Sequence, residues 1–224
     1  MKFVKRNFLS FVVIAVMAVA IWYPSENTSV VKIVTDIKID EKHIKRMQGT
    51  GVVIHSSEKG TYILTNAHVL HEEKFGVEFE DGLLARGEVL LSIDKRKKIA
   101  NGEISLRDYA VIRTTPGKNY KVPDFSWQIP PKDGEIKIRV FAPYDEPKNV
   151  YGDLTERIGY IDGIIIGGNS GGPIIYDGIV IGIVQGHNLE DLSVTYWQPL
   201  VIMKQDFLDN GLGWLMEETN EKGK

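Results

Sequence analysis

No cysteine occurs in the 224 residues. The fold therefore cannot depend on disulfides, and both a cysteine nucleophile and a thiolate metal site are excluded. Strong charge of one sign is also missing. Lys and Arg number 27 against 30 Asp and Glu, a net charge of −3, so no global field favours nucleic acid or an anionic membrane. No internal repeat and no low-complexity tract is present, which excludes solenoids and disordered arrays. No apolar run reaches the roughly 20 residues that span a bilayer of about 30 Å.

The run that comes nearest, Phe8 to Tyr23, lies after Lys2, Lys5 and Arg6 and stops at Pro24. A basic flank before such a run marks a signal peptide or an uncleaved signal anchor over residues 1–24. Ala18-Val19-Ala20 offers a cleavage site. The bulky Ile21, Trp22 and Tyr23 after it suit a membrane interface and tip the reading toward an anchor. In either case the remainder, residues 25–224, is expected outside the cytoplasm as one domain.

Beyond Ser29 the chain breaks into short apolar runs split by turn residues. Strands are expected at Val30–Ile39, Gly49–His55, Thr61–Thr65, Gly76–Phe79, Leu83–Ile93 and Tyr109–Thr114. Five more fall at Glu135–Ala142, Tyr160–Ile166, Pro173–Tyr176, Ile179–Gly186 and Leu192–Trp197. Glu80-Asp81-Gly82, Thr115-Pro116-Gly117, Pro130 to Gly134 and Asp177-Gly178 punctuate them. Many short strands at this spacing predict an all-β sandwich or barrel. Val201 to Leu208 carries apolar residues at helical spacing.

Chemistry concentrates at Gly168-Asn169-Ser170-Gly171-Gly172-Pro173. Glycines there let the backbone turn tightly and approach a ligand. Such a turn can lift a serine hydroxyl clear and aim main-chain N–H groups at one point, where a developing oxyanion is stabilised. A plain Gly-rich β-turn between strands has the same composition. Two upstream segments bear on the choice: Thr65-Asn66-Ala67-His68-Val69 after a strand-like run, and Asp108-Tyr109-Ala110-Val111-Ile112. Asp81 and Asp94 lack the following A-V-I run.

Together T-N-A-H-V, D-Y-A-V-I and G-N-S-G-G-P, in that order, resemble the trypsin-like serine proteases, and among them the cysteine-free bacterial Deg/HtrA-type domains. The likeness covers about residues 48 to 200. It implies two six-stranded antiparallel β-barrels with a short C-terminal helix, and an endopeptidase acting on protein or peptide substrates without cofactor or metal; the alternative is a protease-fold binding or chaperone-like protein with weak or no turnover, against which the presence of His68, Asp108 and Ser170 together argues. It implies Ser170 as nucleophile, His68 as base and acid, and Asp108 as the group that orients His68. The backbone N–H groups of Gly168 and Ser170 would form the oxyanion hole. Little chain remains after the helix, so no appended peptide-binding domain is expected. Family members activated by proteolysis carry an aspartate at the position of Asn169, paired with a new N-terminus; a neutral Asn169 cannot form that pair.

By the same likeness Ile164 stands where tryptic enzymes carry an acid, and Val184 where glutamyl endopeptidases carry a histidine. With Ile165, these residues suggest a small or aliphatic specificity, or else simply fill the β core. Substrate backbone would dock along Gln185, Gly186 and His187. His187 reads equally as an exposed loop histidine. His68, His71 and Glu72 form H-x-x-H-E, which matches neither spacing of a zinc protease helix. The basic run Lys95 to Lys98 is too narrow for a nucleic-acid face.

Overall fold

A computed structural model describes residues 29–38, 44–70, 75–95, 107–115, 118–156, 159–163, 165–187 and 194–217. The N-terminal apolar run, Ile164, His71, Glu72 and Arg96 to Lys98 lie outside the described residues. Among the described residues no helix is long and apolar enough to cross a membrane.

Twelve strands form two closed barrels. The first contains β1 (Val30–Lys38), β2 (Ile44–Ser57), β3 (Gly60–Thr65), β4 (Gly76–Phe79), β5 (Leu84–Asp94) and β6 (Asp108–Thr114), in the order β1-β2-β3-β6-β5-β4. The second contains β7 (Gly134–Val140), β8 (Lys148–Leu154), β9 (Tyr160–Asp162), β10 (Pro173–Tyr176), β11 (Ile179–His187) and β12 (Val194–Pro199). Its order, β10-β11-β12-β9-β8-β7, is the same connection scheme repeated. Antiparallel pairing of β1 with β4 and of β7 with β10 closes the two rings, while β11 runs past its pairing with β10 and is paired at Gly186 and His187 with β12 alone.

Alternation drives this arrangement. In β4 and β7 every second side chain is buried, and the inward residues Val77, Phe79, Ile136, Ile138 and Val140 fill the barrel interiors. Each such side chain removed from water contributes about 1.5–3 kcal/mol. A separate apolar cluster joins the barrels: Val52, Leu64, Tyr109 and Val111 from the first meet Ile175, Val180 and Ile183 from the second. Trp127 of the connecting segment and Phe207 of the C-terminal helix complete it.

Differences from the sequence expectations are local. Strand β8 is not anticipated, because most of Lys148–Leu154 is exposed or half-buried and carries no apolar alternation. The strand expected over Tyr160–Ile166 stops at Asp162, since the chain there leaves the sheet to form the loop that bears Ser170. The expected helix divides into a 3-10 turn at Leu200–Ile202 and α1 (Lys204–Asp209). A second short helix, α2 (Trp214–Glu217), comes after it.

Candidate active site

His68 and Asp108 come together because β3 and β6 are hydrogen-bonded neighbours, with Thr65 opposite Ala110. After β3 the chain turns through Asn66 into a 3-10 turn, Ala67–Val69, which carries His68. Asp108 opens β6 and is fully buried. Its Oδ1 accepts the His68 backbone N–H at 3.0 Å, and its Oδ2 lies 2.5 Å from His68 Nδ1. A buried carboxylate is costly unless its oxygens are bonded, and here each oxygen has a partner on His68. A carboxylate only accepts, so Nδ1 is the donor in this contact and Nε2 faces away from Asp108. The main chain of Asp108 is pinned as well: Asn66 Nδ2 donates to its carbonyl at 2.7 Å, and its N–H donates to Gln198 Oε1 of β12 at 2.8 Å. Its chain neighbours Arg107 and Tyr109 both donate to Asp206 of α1.

Ser170 lies on the connection between β9 and β10, strands that do not pair with each other. Hydrogen bonds from side chains and from the first barrel hold that connection. Asn169 is buried; its Oδ1 accepts the Ile166 N–H at 3.0 Å, and its Nδ2 donates to the Ala142 carbonyl at 3.0 Å. Both arms of the carboxamide are thus satisfied within the second barrel. The Thr50 N–H of β2 donates to the Ser170 carbonyl at 2.8 Å, and the Gly171 N–H donates to the Val184 carbonyl at 2.8 Å. Gly168 sits at φ +97 and Gly171 at φ +86, a region in which a side chain is strained. The Gly168 and Ser170 N–H groups find no protein acceptor among the described residues. The Ser170 hydroxyl donates to the Gln185 carbonyl at 3.1 Å.

Of the expected substrate-contacting residues, Val184 and Ile165 are buried in the core of the second barrel beside Trp197. Gln185 is also buried, and its backbone carbonyl faces Ser170. A Cβ at Gly186 would meet nothing within 4 Å, so the chain there borders open space. Gly186 and His187 pair in register with Tyr196 and Thr195 of β12. Thr195 is fully buried and donates to the Gly163 carbonyl at 2.7 Å, directly behind that edge. Sequence reasoning passed over Thr50, Thr195 and Gln198. Their one local signal is a polar residue at a buried position of a strand. Among the described residues no group of three or more potential metal ligands occurs.

Charge accumulates at the seam between the barrels. Glu80 accepts the Val30 N–H at 2.9 Å and pairs with Arg139 of β7 at 3.2 Å. Burial pushes the Glu80 carboxyl up, against the lowering effect of the Val30 N–H, and burial pushes the Arg139 guanidinium down.

The family model for the trypsin-like peptidase domain matches residues 49–183. The fold is similar to that of a serine endoprotease from Yersinia pestis, with TM-score 0.58 and 21% identity over 84% of this chain and 63% of that one. It is also similar to an inactive serine-to-alanine mutant of Rv3671c from Mycobacterium tuberculosis. The TM-score there is 0.62 and the identity 19%, over 84% of this chain and 88% of that one. The chain thus spans less than two thirds of the Yersinia protein's length. No curated protein sequence matches it. The family model covers more than half of the chain, across the segments bearing His68, Asp108 and Ser170, and with the twin barrels it makes the chain a member of the trypsin-like peptidase family.

Proposed function

We propose that the protein is a serine endopeptidase working through His68, Asp108 and Ser170. The observation that carries this reading is the buried Asp108 holding His68 by both its backbone and its Nδ1, on the barrel bonded to the carbonyl of Ser170. Substrate backbone lies along Gln185, Gly186 and His187. The Ser170 hydroxyl turns from the Gln185 carbonyl to His68 Nε2, which takes the proton as Oγ attacks the scissile carbonyl. The carbonyl electrons move onto oxygen, where the Gly168 and Ser170 N–H groups stabilise them; one such donor is worth about 3–4 kcal/mol. Collapse expels the amine, which leaves with the proton from imidazolium, and the acyl group stays on Ser170. Water, activated by the same His68, then hydrolyses the ester.

For specificity we infer small or aliphatic side chains. By the likeness, Ile164 stands where an acid would pair a basic side chain and Val184, itself in the core, where a histidine would pair an acidic one; an unpaired charge loses several kcal/mol on desolvation, whereas each buried methylene gains about 0.8 kcal/mol. The basic flank and apolar run at residues 1–24 support an exported domain, tethered if uncleaved. Intact mass of the processed protein tests the tether, and a mature chain starting at Ile21 rules it out.

The central test is labelling with a fluorophosphonate and profiling on a peptide library. Ser170 is the expected modified residue, and Ser170→Ala the expected dead variant. An Ala variant cleaving at the wild-type rate overturns the assignment. A wild type cutting chiefly after Lys, Arg or Glu overturns the specificity alone.

A further inference from the structure

Thr50 stands near the middle of β2 in the first barrel, opposite Lys32 of β1, and is fully buried. Its hydroxyl donates to the Gly168 carbonyl at 3.0 Å. The same oxygen accepts the N–H groups of Phe141 and Ala142, each at 3.2 Å. One donor and two acceptor sites are all that a threonine hydroxyl has, and all three are spent on the second barrel. The Thr50 main chain adds two further ties: its N–H donates to the Ser170 carbonyl, and its carbonyl accepts the Thr65 hydroxyl at 2.7 Å, three residues before His68.

The two carbonyls that Thr50 holds, of Gly168 and Ser170, flank Asn169. Between Gly168 and Ser170 run the bonds that set the relative direction of their two N–H groups. Gly168 has no Cβ to restrict its rotation, and its φ of +97 leaves the orientation of the next peptide to hydrogen bonding. That peptide's carbonyl is bonded by the Thr50 hydroxyl, and its N–H, that of Asn169, donates to the Ile166 carbonyl at 3.1 Å. Gly168 also packs on Ala142 and Pro143, where a Cβ would come within 2.9 Å of the Pro143 nitrogen. The Ala142 N–H is itself fixed by the same hydroxyl. One side chain of the first barrel thus ties down the carbonyl end of that peptide and the surface on which it rests.

We propose that Thr50 is a positioning residue for the oxyanion-binding loop, its side-chain hydroxyl aligning the Gly168 and Ser170 N–H groups without touching substrate. The inference rests on the protease reading of Ser170. Removing the hydroxyl leaves the Gly168–Asn169 peptide, which links the two N–H groups, held at its N–H end alone by the Ile166 carbonyl. The angle between the Gly168 and Ser170 N–H groups is then less firmly fixed, and transition-state stabilisation falls while peptide docking along β11 is kept.

The experiment compares wild type, Thr50→Val and Thr50→Ser as full chains, with active sites counted by fluorophosphonate titration. Thr50→Val, close in shape but without hydrogen-bonding capacity, is expected to lose about a hundredfold in kcat per titrated site, the effect of weakening one oxyanion donor. Its KM stays near the wild-type value, and its affinity for a peptidyl boronate falls in parallel with kcat. Thr50→Ser keeps the hydroxyl and stays within about threefold of wild type. Should the Val variant not fold, Thr50→Cys, whose thiol is a feeble donor and acceptor, takes its place in the same comparison. Equal kcat per titrated site in the hydroxyl-bearing and hydroxyl-free variants overturns the proposal, as does a loss confined to KM. A wild-type chain that fails to react at Ser170 instead overturns the protease reading itself.

Discussion

The two barrels share one strand order but present their chemistry by different physical means. In the first, His68 comes just after β3 and Asp108 opens β6, and these strands are hydrogen-bonded neighbours. Sheet register alone brings the pair together. In the second, Ser170 rides a connection between β9 and β10, which do not pair. No ladder holds it, so buried polar side chains do: Asn169 from within the loop and Thr50 from across the seam. The comparison teaches that a site residue on a strand end inherits its precision from the sheet. A residue on a crossing loop needs dedicated hydrogen bonds.

Removing the serine separates chemistry from support most sharply. Ser170→Ala should lower kcat by about 10⁶-fold, roughly 8 kcal/mol of barrier. Stability should hardly change, because the hydroxyl makes a single bond, to the Gln185 carbonyl. Single-turnover kinetics and thermal unfolding on the same sample check both halves.

On the other barrel, Asp108→Asn should cost about 10⁴-fold in kcat, or roughly 5.5 kcal/mol. The amide can still accept the His68 backbone N–H but can donate to Nδ1, which places the imidazole proton on the wrong nitrogen. Proton NMR of the His68 ring, read beside kcat, distinguishes this from unfolding.

Gly171→Ala probes how tightly the loop is clamped. At φ +86 a Cβ would run into the Thr50 carbonyl oxygen and the Thr65 hydroxyl. Strain and overpacking together should destabilise the fold by about 3 kcal/mol. Urea unfolding measures it, and a loss below about 1 kcal/mol would mean that the seam between the barrels yields readily.

The smallest effect is expected at the surface of the first barrel. Asp81, in the turn between β4 and β5, pairs with Lys118 of the connecting segment. That ammonium holds the Asp81 carboxyl below its usual range, while burial first and then Asp81 push the Tyr120 phenol up to about 12. A lowered carboxyl stabilises the fold above its ordinary pKa of about 3.9, and that contribution disappears as pH falls through the lower native value. Asp81→Asn should therefore cost about 0.5 kcal/mol at pH 7, as expected for an exposed pair. Well below the native pKa it should cost nothing. Unfolding curves at neutral and strongly acid pH provide the check.

Much of this molecule can be read from its residues in order, because the forces involved are local. Alternating Gly76–Phe79 and the continuous apolar run Pro173–Tyr176 specify strands within a few residues of their ends. The three motifs lie within segments short enough to carry their own turn chemistry. The neutrality of Asn169 already says that this residue ties the loop by hydrogen bonds and not by an ion pair. Exposed β8 escaped notice because a strand that buries little leaves little pattern. The continuous apolar run of β11 could not say where Val184 and its neighbours pack; barrel closure and pairing with β12 put Val184 inside, beside Ile165. Thr50 was the least legible. The partners of its hydroxyl lie 91 to 118 positions away along the chain, and nothing in Gly49-Thr50-Gly51 indicates them. Strand propensity and motif order are properties of neighbouring residues. The direction of an N–H group at Gly168 depends on how two barrels close and dock, and that is settled only when distant segments are packed together.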